Sequence, residues 1–174
     1  IDAGTPAGDP KEGPPPMRTS QEWAIGKPDA VFQIPSAFDV KATGVMPYQI
    51  AYVETTFDED KWVDAMEVQP TDRSVVHHVL IFVRPKGMPR NRVNLGEELS
   101  GFFAAYVPGN DHVIYPSGVA KMLPKGSTLK FQIHYTPNGR ATTDQTRLAI
   151  RFAKGPVKHE VKTIGIANLF IRIP

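Results

Sequence analysis

Seven short runs rich in Val, Ile, Phe, Tyr and Thr, parted by Gly, Pro, Asn and Asp, confine this chain to a β fold. They are 30-AVFQIP-35, 48-YQIAYVETTF-57, 64-DAMEVQP-70, 75-VVHHVLIFV-83, 129-LKFQIHYTP-137, 147-RLAIRFA-153 and 161-VKTIGIANLFIRI-173. β-Branched and aromatic side chains suit a pleated, half-buried surface, and the residues between the runs are those that turns require. Only 18-RTSQEWA-24 and 95-LGEELSGFFAA-105 read as short helices. Strands that follow one another without long crossover helices pair antiparallel. The expectation is an all-β chain, an antiparallel β-sandwich of jelly-roll type. No internal repeat of propeller or solenoid length is present.

With 174 residues, 41% of them hydrophobic and 22% charged, the chain can bury one sizeable core. The first twenty residues, IDAGTPAGDPKEGPPPMRTS, are crowded with Gly and Pro and poor in large apolar side chains. Residues 1–20 therefore read as a linker or extended arm and residues 21–174 as a single domain. The chain opens on Ile rather than Met, and 164-IGIANLFIRIP-174 stays apolar and strand-like to its last residue. Both ends are expected to be cuts in a longer protein. The 20 Lys and Arg and the 18 Asp and Glu are well mixed, with no basic run that would mark a nucleic-acid or membrane surface. No apolar run approaches the ~20 residues of a membrane-spanning helix. The absence of cysteine excludes disulfides, thiolate metal ligands and a cysteine nucleophile.

Five histidines remain as chemistry-bearing residues: His77, His78, His112, His134 and His159. In 129-LKFQIHY-135 the alternation puts Leu129, Phe131, Ile133 and Tyr135 on one face and Lys130, Gln132 and His134 on the other. His134 thus points away from the apolar face. His77 and His78 sit in the middle of an otherwise apolar strand, where a polar ring costs free energy unless it finds a partner. Neighbours on a regular strand point to opposite faces. The pair can share one ion only if the strand bulges or twists between them, or if one ring binds through Nδ1 and the other through Nε2. The plainer alternative is two separate core or rim imidazoles. Three neutral imidazoles with no thiolate or carboxylate nearby in sequence suit copper, zinc, iron or nickel. The affinity order favours Cu(II), while a three-histidine centre holding a water is also how zinc hydrolytic sites are built.

Three stretches resemble the copper type II, ascorbate-dependent monooxygenases, the family of the peptidylglycine α-hydroxylating and dopamine β-monooxygenases. 75-VVHHVLIFV-83 is similar to the family's paired-histidine strand, 106-YVPGNDHVIYPSGVA-120 to its Pro-Gly loop, and 129-LKFQIHYTPNG-139 with 147-RLAIRFA-153 to its third-histidine strand pair. The resemblance spans roughly residues 28–170 and looks closest to the first copper domain of bacterial multidomain members. It implies a jelly-roll sandwich in which His77, His78 and His134 ligate one copper that takes electrons from a reductant such as ascorbate. It also implies a second copper domain as partner and a periplasmic or extracellular location, with zinc as a possible substitute metal. The family's second copper uses an H-x-H pair and a methionine, and this chain has no H-x-H. Met122 lies before the third histidine and does not take the thioether role. What is implied is the electron-transfer half of a hydroxylase.

Two other readings stand beside it. One is a non-catalytic jelly-roll module, for interaction or carbohydrate binding, with a structural or vestigial metal site. The other is zinc-assisted hydrolysis, for which Glu54, Glu67 or Asp111 would have to serve as base. His112 is expected in an exposed loop, His159 on the surface and Met66 in the core. Trp23 reads as an anchor for the N-terminal arm, and Trp62 as closing a turn near 58-DEDKW-62. The Pro-Asn-Gly of 136-TPNGR-140 is expected to turn the chain directly after His134, with further turns at 116-PSG-118 and 124-PKG-126.

Overall fold

Alternation of interior and exterior residues is cleanest in the second of the two sheets, whereas the central strands of the first are buried along most of their length. The computed structural model describes residues 8, 9, 11, 13, 22–89, 101–165 and 172. The strands are β1 (Ala30–Gln33), β2 (Phe38–Val40), β3 (Gln49–Glu54), β4 (Lys61–Gln69), β5 (Val76–Arg84), β6 (Ala104–Tyr106), β7 (His112–Ile114), β8 (Val119–Leu123), β9 (Thr128–Tyr135), β10 (Thr142–Asp144), β11 (Arg147–Phe152) and β12 (His159–Glu160). One sheet runs β1-β11-β4-β8-β12, with β7 sharing the β8 side of β4, and a second runs β3-β9-β5-β6. A small pair, β10-β2, stands apart. All pairings are antiparallel except the two-residue contact of β12 with β8.

The principal pairings are nested: β1 with β11, β3 with β9, β4 with β8, and β5 with β6. A long hairpin wrapped on itself produces this order. It is the jelly roll expected from the runs of strand-forming residues. Phe32, Met66, Val68, Leu148 and Ile150 of one sheet meet Val79, Ile81, Leu129, Phe131 and Ile133 of the other in a single core. Each fully buried aliphatic or aromatic side chain there contributes about 1.5–3 kcal/mol.

Several expectations need correction. Residues 22–24 carry no helix, and the segment expected to be helical over 95–105 ends in β6, its residues 95–100 lying outside those described. Residues 161–165 are irregular, and most of the remaining C-terminal stretch also lies outside the described residues, as does nearly all of the 1–20 arm. Trp62 closes no turn: it stands inside β4, opposite Met122 of β8. Trp23 does anchor the chain's entry, packing with Ile25 on Ala65 and Ala149 while the Arg147 guanidinium lies 4.7 Å over its ring. Met66 is in the core as expected.

One buried carboxylate ties the ends of these strands together. Asp144 is 0% exposed. Its Oδ1 accepts from Thr71 N, Thr71 Oγ1 and Asp72 N at 2.7, 3.1 and 3.2 Å, and its Oδ2 from Tyr135 Oη and Thr146 Oγ1 at 2.8 and 2.6 Å. Burial, then the charge of Asp144 and the bond to it, pushes the Tyr135 hydroxyl well above the ordinary phenol range. The node thereby joins the segment leading into β5 to the end of β9. Asp144→Ala leaves these donors without an acceptor in a dry interior and is expected to cost about 3–5 kcal/mol. Tyr135→Phe, which removes one bond to a charged group, should cost about 2 kcal/mol. Urea-denaturation midpoints of the two variants measure both, and equal losses would contradict the node.

Candidate metal centre

β9 is regular, and it sets the frame for the site. Leu129, Phe131, Ile133 and Tyr135 are buried, while Lys130, Gln132 and His134 are half-buried on the outer face. In β5, Val83, Ile81 and Val79 lie opposite Leu129, Phe131 and Ile133, which places them on the inner face, and His78 comes level with His134 on the outer one. Were the strand to continue regularly, His77 would stand opposite Tyr135 and point inward. Instead Val76 takes that position, and the register shifts between Val76 and His78. Two residues of β5 thus face one residue of β9, which is a β-bulge.

The reason is energetic. An imidazole driven into an apolar interior costs about 1–3 kcal/mol, whereas one ladder hydrogen bond exchanged for water costs about 1 kcal/mol or less. Val76, by contrast, gains by turning inward. The bulge lets Val76 and Val79 both face the core although three positions separate them, and it leaves both imidazoles outside.

The three rings converge. Their centroids form a nearly equilateral triangle with sides of 5.3, 5.1 and 5.1 Å. One ring nitrogen from each lies within 4.8 Å of the others, and Nδ1 of His77 is 3.0 Å from Nδ1 of His78. Nitrogens sharing an ion at about 2 Å stand roughly 3–3.5 Å apart, so modest ring rotations bring the triangle to ligand spacing. Among the described residues this is the group of His, Asp and Glu side chains that could hold a metal. His77 is exposed, and His78 and His134 are half-buried.

Two further observations fit a cation. Nδ1 of His134 is buried and has no hydrogen-bond partner. A buried polar atom without a partner calls for a group to satisfy it, and a bound ion is one such group. Burial, reinforced by the neighbouring charges of His134 and His77, holds the His78 imidazole below its ordinary value of 6.5. His78 is therefore neutral at neutral pH, the form that ligates.

Tyr48, which the sequence reading passed over, belongs to this surface. Gln49 pairs with Ile133, so Tyr48 comes level with His134 across the strand pair. Its ring centroid is 4.9 Å from that of His134 and 5.6 Å from that of His78. Alternation puts Tyr48 in phase with Ile50 and Tyr52, but only the pairing of β3 with β9 brings it beside the histidines.

The other sequence candidates lie elsewhere. Glu54 accepts from Thr128 Oγ1 at the far end of β9, six residues from His134 and thus about 20 Å along the strand. Glu67 is buried in the opposite sheet, accepting from the backbone N–H groups of Ala24 and Ile25 and from Gln69 Nε2. Asp111 is paired with Arg73 at 2.6 Å and with Nδ1 of His112 at 2.7 Å. None of these acids joins the triad. His112, expected in an exposed loop, is exposed but opens the short strand β7, and His159 is exposed in β12. The tight turn expected directly after His134 is displaced: β9 runs to Tyr135 and the chain bends only at Gly139 and Arg140, held by a bond from Gly139 N to Ala42 O at 2.8 Å and one from Asn138 Nδ2 to Ser74 Oγ at 3.1 Å.

The lowered His78 value has a consequence for stability. Between that value and 6.5 the unfolded chain binds a proton that the folded chain refuses, so stability is full above about 6.5 and falls as pH drops through this window. The denaturation midpoint of the metal-free protein should fall on mild acidification, and His78→Asn should flatten that part of the profile. A profile unchanged by the substitution would contradict the assignment. In comparisons with known proteins, no family model and no curated protein matches this chain, so the candidate site rests on its geometry.

Proposed function

We propose that the chain is a mononuclear, type II copper-binding electron-transfer domain of a monooxygenase-like protein, with copper held by His77, His78 and His134. The observation that carries this reading is the convergence of His77, His78 and His134 on one surface, with a ring nitrogen from each within 4.8 Å of the others. The donor set is neutral and nitrogen-only, which suits both oxidation states of copper, and Cu(II) stands highest in the affinity order. A copper ion held there would cycle between the cuprous and cupric states and pass single electrons.

The surrounding residues fit that task. His77 presents an exposed ring edge to a small reductant such as ascorbate, while β5 and β9 hold His78 and His134 on adjacent paired strands. The zinc-hydrolysis alternative loses the three acids considered as its base, because Glu54, Glu67 and Asp111 are engaged away from the triad. The likeness of the paired-histidine and third-histidine strands to the ascorbate-dependent monooxygenases supports the same reading. With it go, as parts of the proposal, a second copper domain to receive the electron and a periplasmic or extracellular location.

Loading the protein with Cu(II) and recording its EPR spectrum and metal stoichiometry tests this directly. The expected outcome is one type II copper per chain, bleached by ascorbate. His77→Ala and His134→Ala should each weaken retention at least about 100-fold, since loss of even an outer hydrogen-bond partner costs 10- to 100-fold. Failure of the wild type to hold copper, or undiminished retention in both variants, would leave the non-catalytic module as the better reading.

A further inference from the structure

The three imidazoles are not equivalent. Tyr48 covers two of them, with interplanar angles of 38° to His134 and 55° to His78. Among the described residues its ring contacts do not extend to His77, which is exposed and whose own ring contacts are with the other two imidazoles. Tyr48 itself is 52% exposed, so its position is not enforced by burial of its own ring. The backbone on either side enforces it. Met46, two residues earlier, is buried in the core, Gln49 Nε2 donates to Pro47 O at 3.0 Å, and β3 begins at Gln49. Proline at 47 further restricts the approach. An aromatic ring is thus delivered against two candidate ligands by a segment with little freedom.

We propose that Tyr48 is a positioning residue of the metal centre, a clamp that fixes the His78 and His134 rings and leaves His77 as the ligand free to swing. This rests on the copper reading above and assigns unequal roles within the site. Contacts between aromatic rings favour tilted and edge-on arrangements and restrict rotation about the terminal side-chain bond, which is otherwise broad for histidine. The ring carries the effect, and the phenol oxygen, left in water, has no part in it. Were an ion bound, any change in the ligand set would fall on His77, the ring that the clamp leaves free.

The test uses the full chain and the variants Tyr48→Ala and Tyr48→Phe. In the metal-free protein, the imidazole carbon-bound proton NMR resonances of His78 and His134 should shift in Tyr48→Ala while those of His77 stay near their wild-type positions. Relaxation should show the His77 ring as the most mobile of the three in wild type. With copper bound, transfer of Cu(I) to a bicinchoninate chelator should be roughly two- to tenfold faster in Tyr48→Ala, the range expected from loss of one aromatic contact. Tyr48→Phe should match wild type in both measurements, and the thermal midpoint of the metal-free Tyr48→Ala protein should fall by only about 2–4 °C. Unshifted His78 and His134 resonances, or a Phe variant as impaired as the Ala variant, would overturn the clamp. Failure of the wild type to bind copper would instead sink the copper reading, with the metal-free NMR experiment still deciding whether Tyr48 holds the rings.

Discussion

An antiparallel strand that lines a core has one fixed rule: successive side chains alternate between the interior and the outside. Two neighbouring imidazoles break that rule, and the bulge between Val76 and His78 is how the chain accommodates them. The bulge protects the core first, keeping Val76, Val79, Ile81 and Val83 inward against β9. The gathering of His77, His78 and His134 on one surface follows from the same adjustment. Core and candidate site are therefore two faces of a single backbone irregularity, and neither is arranged at the expense of the other.

Such a site works only if the strands that bear it do not drift. The segment before β5 and the end of β9 are locked together by Asp144, which gathers Thr71, Asp72, Tyr135 and Thr146 around one buried carboxylate. Asp72 extends the lock outward, accepting from Ser74 N and Ser74 Oγ on one oxygen and from Thr142 Oγ1 and Arg140 on the other. Bonds within this network hold the Asp72 carboxyl below its usual range, the Ser74 hydroxyl contributing most. Polar networks of this kind are costly when incomplete and specify a single arrangement when satisfied. Here the network lies immediately behind the histidines, with Tyr135 adjoining His134 and Ser74 three residues before His77.

Much of this was legible in the residues. Long runs with clean alternation, as in β9, disclosed both their strand character and the outward direction of His134. The bulge itself has a trace in the sequence, because Val76 is out of phase with Val79, Ile81 and Val83. The pair His77-His78 marks where the phase changes. Short strands such as β2, β6, β7 and β10 span too few residues for periodicity to register. In β8 the buried Lys121 disguises the pattern: burial lowers its ammonium to about 8, and three neutral acceptors, Phe102 O, Phe103 O and Thr163 Oγ1, satisfy it. Asp144 reads as a turn residue in 142-TTDQT-146 until the tertiary fold surrounds it. Tyr48 was invisible for a different reason, since its place beside the histidines depends on strand register, which no local pattern encodes.

The order of the second sheet bears on which parts of the site open together. β9 and β5, which carry all three histidines, are its inner strands, and β3, which follows Tyr48, is an edge. Inner strands exchange their amide hydrogens only in near-global openings, while edges fray at far lower cost. Fraying of β3 would lift Tyr48 away and leave the three imidazoles in place. The triad is in this sense a permanent fixture of the fold, and its cover is a removable one, governed by the local stability of a single edge strand.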